Sequence, residues 1–241
     1  MMIDFSKLAN KAPDYDLQAL FDAGCHFGHQ KRKWHPKMAE FIYTEKNGVH
    51  IFDLAKTVEQ LQLAYNYVYS LGKEGKTLIF VATKHQAREV VKKAAEEAGA
   101  MYIVSRWLGG FLTNWEQIYR SLKKMVDIEE GLKTDKFKNY TKFEKVQLEK
   151  EVSRLNRFFM GIKQLRSKPD CIFVVDAHRE KIAVTEASTI SVPVIAITDS
   201  NADPSLVNLA IPANDDTQKS IELIVNEISK AYQEGKKAAK K

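Results

Sequence analysis

Asp170-Cys171-Ile172-Phe173-Val174-Val175-Asp176 is an unbroken apolar run closed at each end by aspartate. A strand that is apolar at every position is buried on both faces, which is the environment of a parallel sheet covered by helices on each side. Pro193-Val194-Ile195-Ala196-Ile197-Thr198 repeats the pattern, and residues 179–190 between them predict a crossover helix. A shorter Leu209-Ala210-Ile211 follows, and then an amphipathic helix over 217–233. Toward the N-terminus, 77–83 and 101–104 read as strands around a helix over 86–98 that stops at Gly99. Residues 49–52 predict a short strand leading into a helix over 54–71. Five or six strands with helical crossovers make an α/β fold, an open doubly wound parallel sheet.

Between these halves, over 114–166, the strand signal disappears and apolar residues recur at helical spacing. Ile118, Leu122 and Met125 mark one helix, and Val146, Leu148, Val152, Leu155, Phe159 and Ile162 a second. The prediction is an α-helical coiled-coil hairpin (114–166) inserted into a discontinuous α/β domain (1–113 and 167–241). Only one seam of such a hairpin can be buried, so the rest must face solvent or a partner.

At 241 residues with a 44% hydrophobic fraction, the chain can fill a core, which excludes the disordered class. It has no apolar run long enough to span a bilayer and no secretory start, so a cytoplasmic protein with no membrane partner is expected. Cys25 and Cys171 lack any disulfide or zinc-finger spacing. The net charge of +6 is concentrated in three places. Residues 26–38 carry four basic residues and no acid, 120–168 carry 14 basic and 7 acidic residues, and the 230–241 tail carries five lysines against Glu234. The remainder is acidic. Basic extensions on an acidic body point to a polyanionic partner, because Lys and Arg gain from releasing the counterions condensed on phosphate.

The enzyme readings find little to stand on. GxGxxG, Walker A and GxSxG patterns are absent, and His178-Arg179-Glu180 lacks the PCxxC that a zinc deaminase needs. A metal- or nucleotide-dependent α/β enzyme is the alternative to carry forward. Its metal candidates are Asp176, Asp199 and Asp203, the first two at carboxyl ends of adjacent strands, and a zinc set from Cys25, His26, His29 and His35. Aspartates after strands also cap helices and tie turns, as Asp203-Pro204 does.

For a nucleic-acid partner the candidate contacts are Lys31, Arg32, Lys33 and Lys37 on phosphates, with Trp34 and His35 stacking on a base or sugar. Gly24 and Gly28 let the chain turn and present that loop. Lys84 and Arg88 open a helix after a strand, where anions bind, and Arg106 is a further phosphate contact. Phe27 and Trp107 are expected in the core. Thr113-Asn114 is expected to cap the next helix, and Asp215 and Asp216 to offset the amide dipole of the last one.

Several blocks together resemble the bacterial form of ribosomal small-subunit protein two, the S-two family. They are Gly24-Cys25-His26-Phe27-Gly28-His29-Gln30, Trp34-His35-Pro36-Lys37-Met38, Arg106-Trp107-Leu108-Gly109-Gly110-Phe111-Leu112-Thr113-Asn114, Asp199-Ser200-Asn201-Ala202-Asp203-Pro204 and Ile211-Pro212-Ala213-Asn214-Asp215-Asp216. The resemblance runs in order over nearly the whole chain. It implies a flavodoxin-like, doubly wound core of five parallel strands with the coiled-coil insert. It also implies a non-enzymatic structural constituent of the small (30S) subunit that binds small-subunit ribosomal RNA and acts in translation. The implied partners are neighbouring small-subunit proteins, including the large mRNA-binding protein S-one that relatives help recruit. No cofactor is required on this reading, Mg or Zn at the aspartates being the one ion considered, and no homo-oligomer is expected. Two departures stand out: Cys25 replaces an aliphatic residue, and Ala213 stands where many members have glycine, which argues against a positive φ there.

Overall fold

The computed structural model describes residues 8–239. Lys240 and Lys241, at the end of the basic tail, lie outside the described residues. A short helix α1 (Leu17–Asp22) leads into β1 (Phe27–Gln30), β2 (Ile42–Lys46), β3 (Val49–Phe52) and α2 (Leu54–Lys73). Then come β4 (Leu78–Val81), α3 (His85–Ala98) and β5 (Met101–Ile103). Two long helices follow, α4 (Trp115–Lys133) and α5 (Lys142–Phe159). The chain ends with β6 (Cys171–Val175), α6 (Lys181–Thr189), β7 (Val194–Thr198), β8 (Leu209–Pro212) and α7 (Gln218–Ala239).

Five strands pair in parallel in the order β5-β4-β6-β7-β8, the flavodoxin-like order. The quoted run is β6, at the centre of the sheet and buried at all five positions. Alternation divides its side chains between two cores. Phe80, Phe173, Ile195 and Ile211 pack toward α2, α3 and α7, while Ile79, Val81, Ile172 and Val174 pack toward α6. Strand order reverses at β4, and α4 and α5 form the connection that carries the chain across it from β5 to β6.

Those two helices lie side by side, and their bases belong to the second core. Leu122, Met125 and Phe159 share one apolar cluster with Ile172 and Val174. Farther along, the apolar seam thins: Leu148 is half-buried, and Val146 and Phe143 are exposed. A capping box starts α5, with the Thr141 hydroxyl accepting from the Glu144 amide and the Glu144 carboxylate accepting from the Thr141 amide.

The sequence predicts β3 but takes 26–37 as a loop. The structure makes a second, antiparallel sheet in the order β1-β3-β2. Its strands carry Gly, His, Gln and exposed residues, with almost no apolar alternation to betray them.

The 106–114 segment is organised by a residue that no sequence motif singles out. Glu186 on α6 is buried and accepts from the Trp107 indole (3.2 Å), the amides of Gly110 (2.7 Å), Leu112 (3.0 Å) and Thr113 (3.3 Å), and the Thr113 hydroxyl (3.3 Å). Burial alone would raise its carboxyl; these donors outweigh that and hold it below the ordinary value. Thr113 therefore serves Glu186, and Asn114 sits at the start of α4 without a side-chain cap bond. Trp107 is buried as expected, whereas Phe27 is 48% exposed.

Two substitutions test this framework by urea unfolding. Glu186→Ala strands several buried donors and is expected to cost about 3 kcal/mol. Where α2 crosses α7, a Cβ on Gly235 would land on the Tyr69 carbonyl and 2.9 Å from the Lys73 nitrogen. Gly235→Ala should therefore cost about 2 kcal/mol by forcing the helices apart. Unchanged midpoints would refute either contact.

Candidate nucleic-acid interface

The carboxyl ends of β4, β6, β7 and β8 gather an ionic cluster. Lys84, just after β4, is buried, and its Nζ lies 2.6 Å from Asp215, 2.6 Å from Asp216 and 3.3 Å from Asp176. Burial works against its charge, but the Asp215, Asp216 and Asp176 carboxylates prevail and hold Lys84 above the ordinary lysine value. Asp176 adopts the left-handed backbone (φ 71°) and accepts from the Arg179 amide at 2.8 Å.

His29 on β1 joins the cluster from the second sheet. Its Nδ1 is 3.0 Å from Asp199 Oδ1, and its backbone amide donates to Asp199 (3.1 Å) and to the Ser200 hydroxyl (2.8 Å). Gly28 makes this approach feasible, since a Cβ there would meet Ser200 Oγ at 3.0 Å and the His50 carbonyl at 3.2 Å. The Asp199 hydrogen bond, acting against burial and aided by nearby carboxylates, raises His29. Burial, reinforced by Asp199 and Asp176, pushes the Asp215 carboxyl up to about 8. Asn214 completes the join by donating to the Phe27 carbonyl at 2.9 Å.

With that edge secured, the chain after β1 runs outward as a basic segment. The His35 amide donates to the Ser200 carbonyl at 2.7 Å, and the Lys31 amide to the Gly48 carbonyl at 3.0 Å. Lys31, Arg32, Lys33 and Lys37 are all exposed. Trp34 is half-buried, its ring 5.1 Å from that of His50.

A family model described as "Ribosomal protein S2" matches residues 20–235, from the segment before β1 into the last helix. The chain belongs to the ribosomal protein S2 family. A curated relative, "Small ribosomal subunit protein uS2" of Coprothermobacter proteolyticus, is 44% identical over 220 residues, which is 91% of this chain and 82% of the relative. Membership in the ribosomal protein S2 family makes this a protein of the small ribosomal subunit, with a structural role in translation. The matched span includes the ionic cluster, the basic segment and the α4–α5 connection.

Against that identity, the side chains singled out in the sequence sort into groups. Lys31, Arg32, Lys33, Trp34, His35 and Lys37 lie together, although Lys31 pairs with Glu45 (2.7 Å) and Lys37 with Asp203 (3.1 Å). Arg106 is exposed and Arg88 half-buried beside Thr83. Lys84 differs: its three carboxylates leave no exposed ammonium for a phosphate, because the strand end buries it. Asp215 and Asp216 turn toward Lys84, and Asn214 instead accepts from the amides of Asp216 and Thr217 ahead of α7. Ala213 has no positive φ.

The metal candidates are also redistributed. Asp203 is bound to Ser205 and Lys37 and does not join Asp176 and Asp199, because Asp203 caps its own turn. Among the described residues, the one set of three His, Cys, Asp or Glu side chains whose donor atoms all lie within 4.8 Å of one another is His29, Asp199 and Asp215. Cys25 is in the core, and His26 stacks on Phe21 at 4.2 Å, so the Cys25, His26, His29 and His35 set is not brought together. Asp215 and its partnership with Lys84 were missed. Two acids in a row at a helix start look like dipole compensation, and the 131-residue separation from Lys84 hides the pair.

Both raised groups keep protons in the folded state. The contribution of His29 is complete below about pH 6.5, that of Asp215 below about pH 4, and both are lost as pH rises through the higher folded values. On these two groups, stability to urea should fall as pH rises from about 4 to about 8. Asp215→Asn should remove much of that fall; an undiminished pH dependence would show that the cluster does not titrate this way.

Proposed function

We propose that the protein binds small-subunit ribosomal RNA through exposed cations set around the carboxyl edge of its sheet, and makes and breaks no bond. The observation that carries the reading is the segregation of charge. Asp176, Asp199 and Asp215 are buried at the edge and tied to Lys84 and His29, while Lys31, Arg32, Lys33, Lys37 and Arg106 are exposed. Trp34 and His35 supply ring faces and edges next to those cations, the pairing used on unstacked RNA. Arg88 adds a guanidinium beside them, and Lys84 acts from within, by keeping the acids neutralised. The 114–166 insert extends the basic surface as a projecting arm. Neighbouring small-subunit proteins, including S-one, are the further partners on this reading, with a single copy working in the cytoplasm as part of the ribosome. Among the described residues, no helix is long and apolar enough to cross a membrane.

Binding of this kind weakens with salt in proportion to the phosphates neutralised. In a filter-binding titration with small-subunit rRNA, replacing Lys31, Arg32 and Lys33 together by Ala should lower affinity about tenfold or more. The slope of log affinity against log salt should fall by about 2. Equal affinity at low and high salt would contradict the proposal. Small subunits depleted of the chain should also lose S-one; full retention would remove the recruitment role.

A further inference from the structure

Arginines from four separate elements meet at a second place on the same edge. Arg88 comes from the first turn of α3, Arg106 follows β5, Arg157 is near the end of α5, and Arg179 precedes α6. They line one cavity of about 420 Å³, which also exposes Ser105. Among the described residues none of the four forms an ion pair, and three of them, Arg106, Arg157 and Arg179, are exposed. Arg88 donates through Nε to the Thr83 carbonyl (3.0 Å) and Arg179 through Nε to the Thr83 hydroxyl (3.3 Å). Both guanidiniums are thus anchored at one nitrogen, with no hydrogen bond donated by their Nη atoms among the described residues.

The acid in the lining does not cancel this charge. The Glu180 carboxylate is buried and already accepts from the Thr83 amide (2.9 Å) and hydroxyl. Burial also moves its carboxyl upward, toward the neutral form. Arg88 and Arg179 further sit at the N-terminal ends of α3 and α6, the positive ends of those helices, where a cation is unfavourable and an anion favourable. Four guanidiniums so placed repel one another until an anion lies between them. The cavity also lies among the loops after β4, β5 and β6, at the reversal of strand order where open α/β sheets take ligands.

We infer that this cavity seats a single RNA nucleotide, its phosphate held among Arg88, Arg106, Arg157 and Arg179. The volume matches one nucleotide and is too small for a duplex. Phe158, with the Arg157 guanidinium 5.9 Å from its ring centre, gives a flat wall on which a base can lie. The choice of RNA over a free mononucleotide rests on the rRNA-binding reading above and on the absence of a glycine-rich phosphate loop from the chain.

The test uses the full chain, with small-subunit rRNA and a nucleoside monophosphate as separate probes. Arg106→Ala/Arg179→Ala changes two exposed side chains, so circular dichroism should be unaltered. RNA affinity should fall at least tenfold, and backbone footprinting should show one nucleotide losing protection while the rest of the footprint persists. Arg106→Lys/Arg179→Lys should recover only part of the loss, because an ammonium cannot replace a two-pronged guanidinium contact. If the double alanine variant binds RNA with unchanged affinity and footprint, while the Lys31, Arg32 and Lys33 triple variant is weakened, the cavity inference is overturned and the rRNA reading stands. If the unmodified chain binds no RNA, the rRNA reading fails and the monophosphate decides the cavity. Saturable binding lost in the double alanine variant would keep it as a phosphate seat for a free nucleotide, and no binding would overturn it.

Discussion

The contact on which the rest of the molecule depends is the buried ammonium of Lys84 against Asp215, Asp216 and Asp176. Four carboxylates, including Asp199, converge where the parallel strands end, and they would repel one another without a cation among them. Lys84 supplies that cation from β4, and His29 supplies a second interaction from the antiparallel sheet. A buried ion pair is weak evidence for net stability, since desolvation offsets much of the attraction. Its effect here is on arrangement: the ends of β4, β6 and β8 are fixed relative to one another, and β1 is drawn onto Ser200 through Gly28.

That arrangement explains how a chain with an acidic body can present a basic surface. Three of the acids at the sheet edge, Asp176, Asp199 and Asp215, are buried with Lys84 and His29, and the cations of the 31–37 segment are exposed. Glu186 repeats the principle on the other side. By collecting the amides of Gly110, Leu112 and Thr113, it holds the loop after Arg106 in one conformation and so fixes where the Arg106 side chain begins. In both places a buried acid held by partners within the protein organises a segment that carries an exposed cation.

The parallel sheet was legible because β6 is apolar at every position and β7 at all but its last, the pattern that double burial produces. Helix boundaries at Gly99 and the two-helix connection after β5 were legible for similar local reasons. The antiparallel sheet was not, since β1 and β2 bury little and are held by hydrogen bonds to β3 and to Ser200. Of the site, the basic segment could be read because its charges are contiguous. The Lys84–Asp215 pair and the Glu186 hub could not, because each joins residues far apart in the chain and each acid had a plausible local role. Lys84 reads as a phosphate contact on the same ground, since a lysine at a helix start looks available in sequence, whereas the fold pairs it with acids that follow β6 and β8.

The account holds that exposed cations meet ribosomal RNA while the buried cluster stays intact. A cryo-EM map of the small subunit containing this chain measures both at once. It should show Lys31, Arg32, Lys33 and Arg106 within contact distance of RNA phosphates, with the Lys84 ammonium still on Asp215. A map in which those four side chains face solvent or protein, or in which Lys84 has left Asp215 for a phosphate, would contradict it.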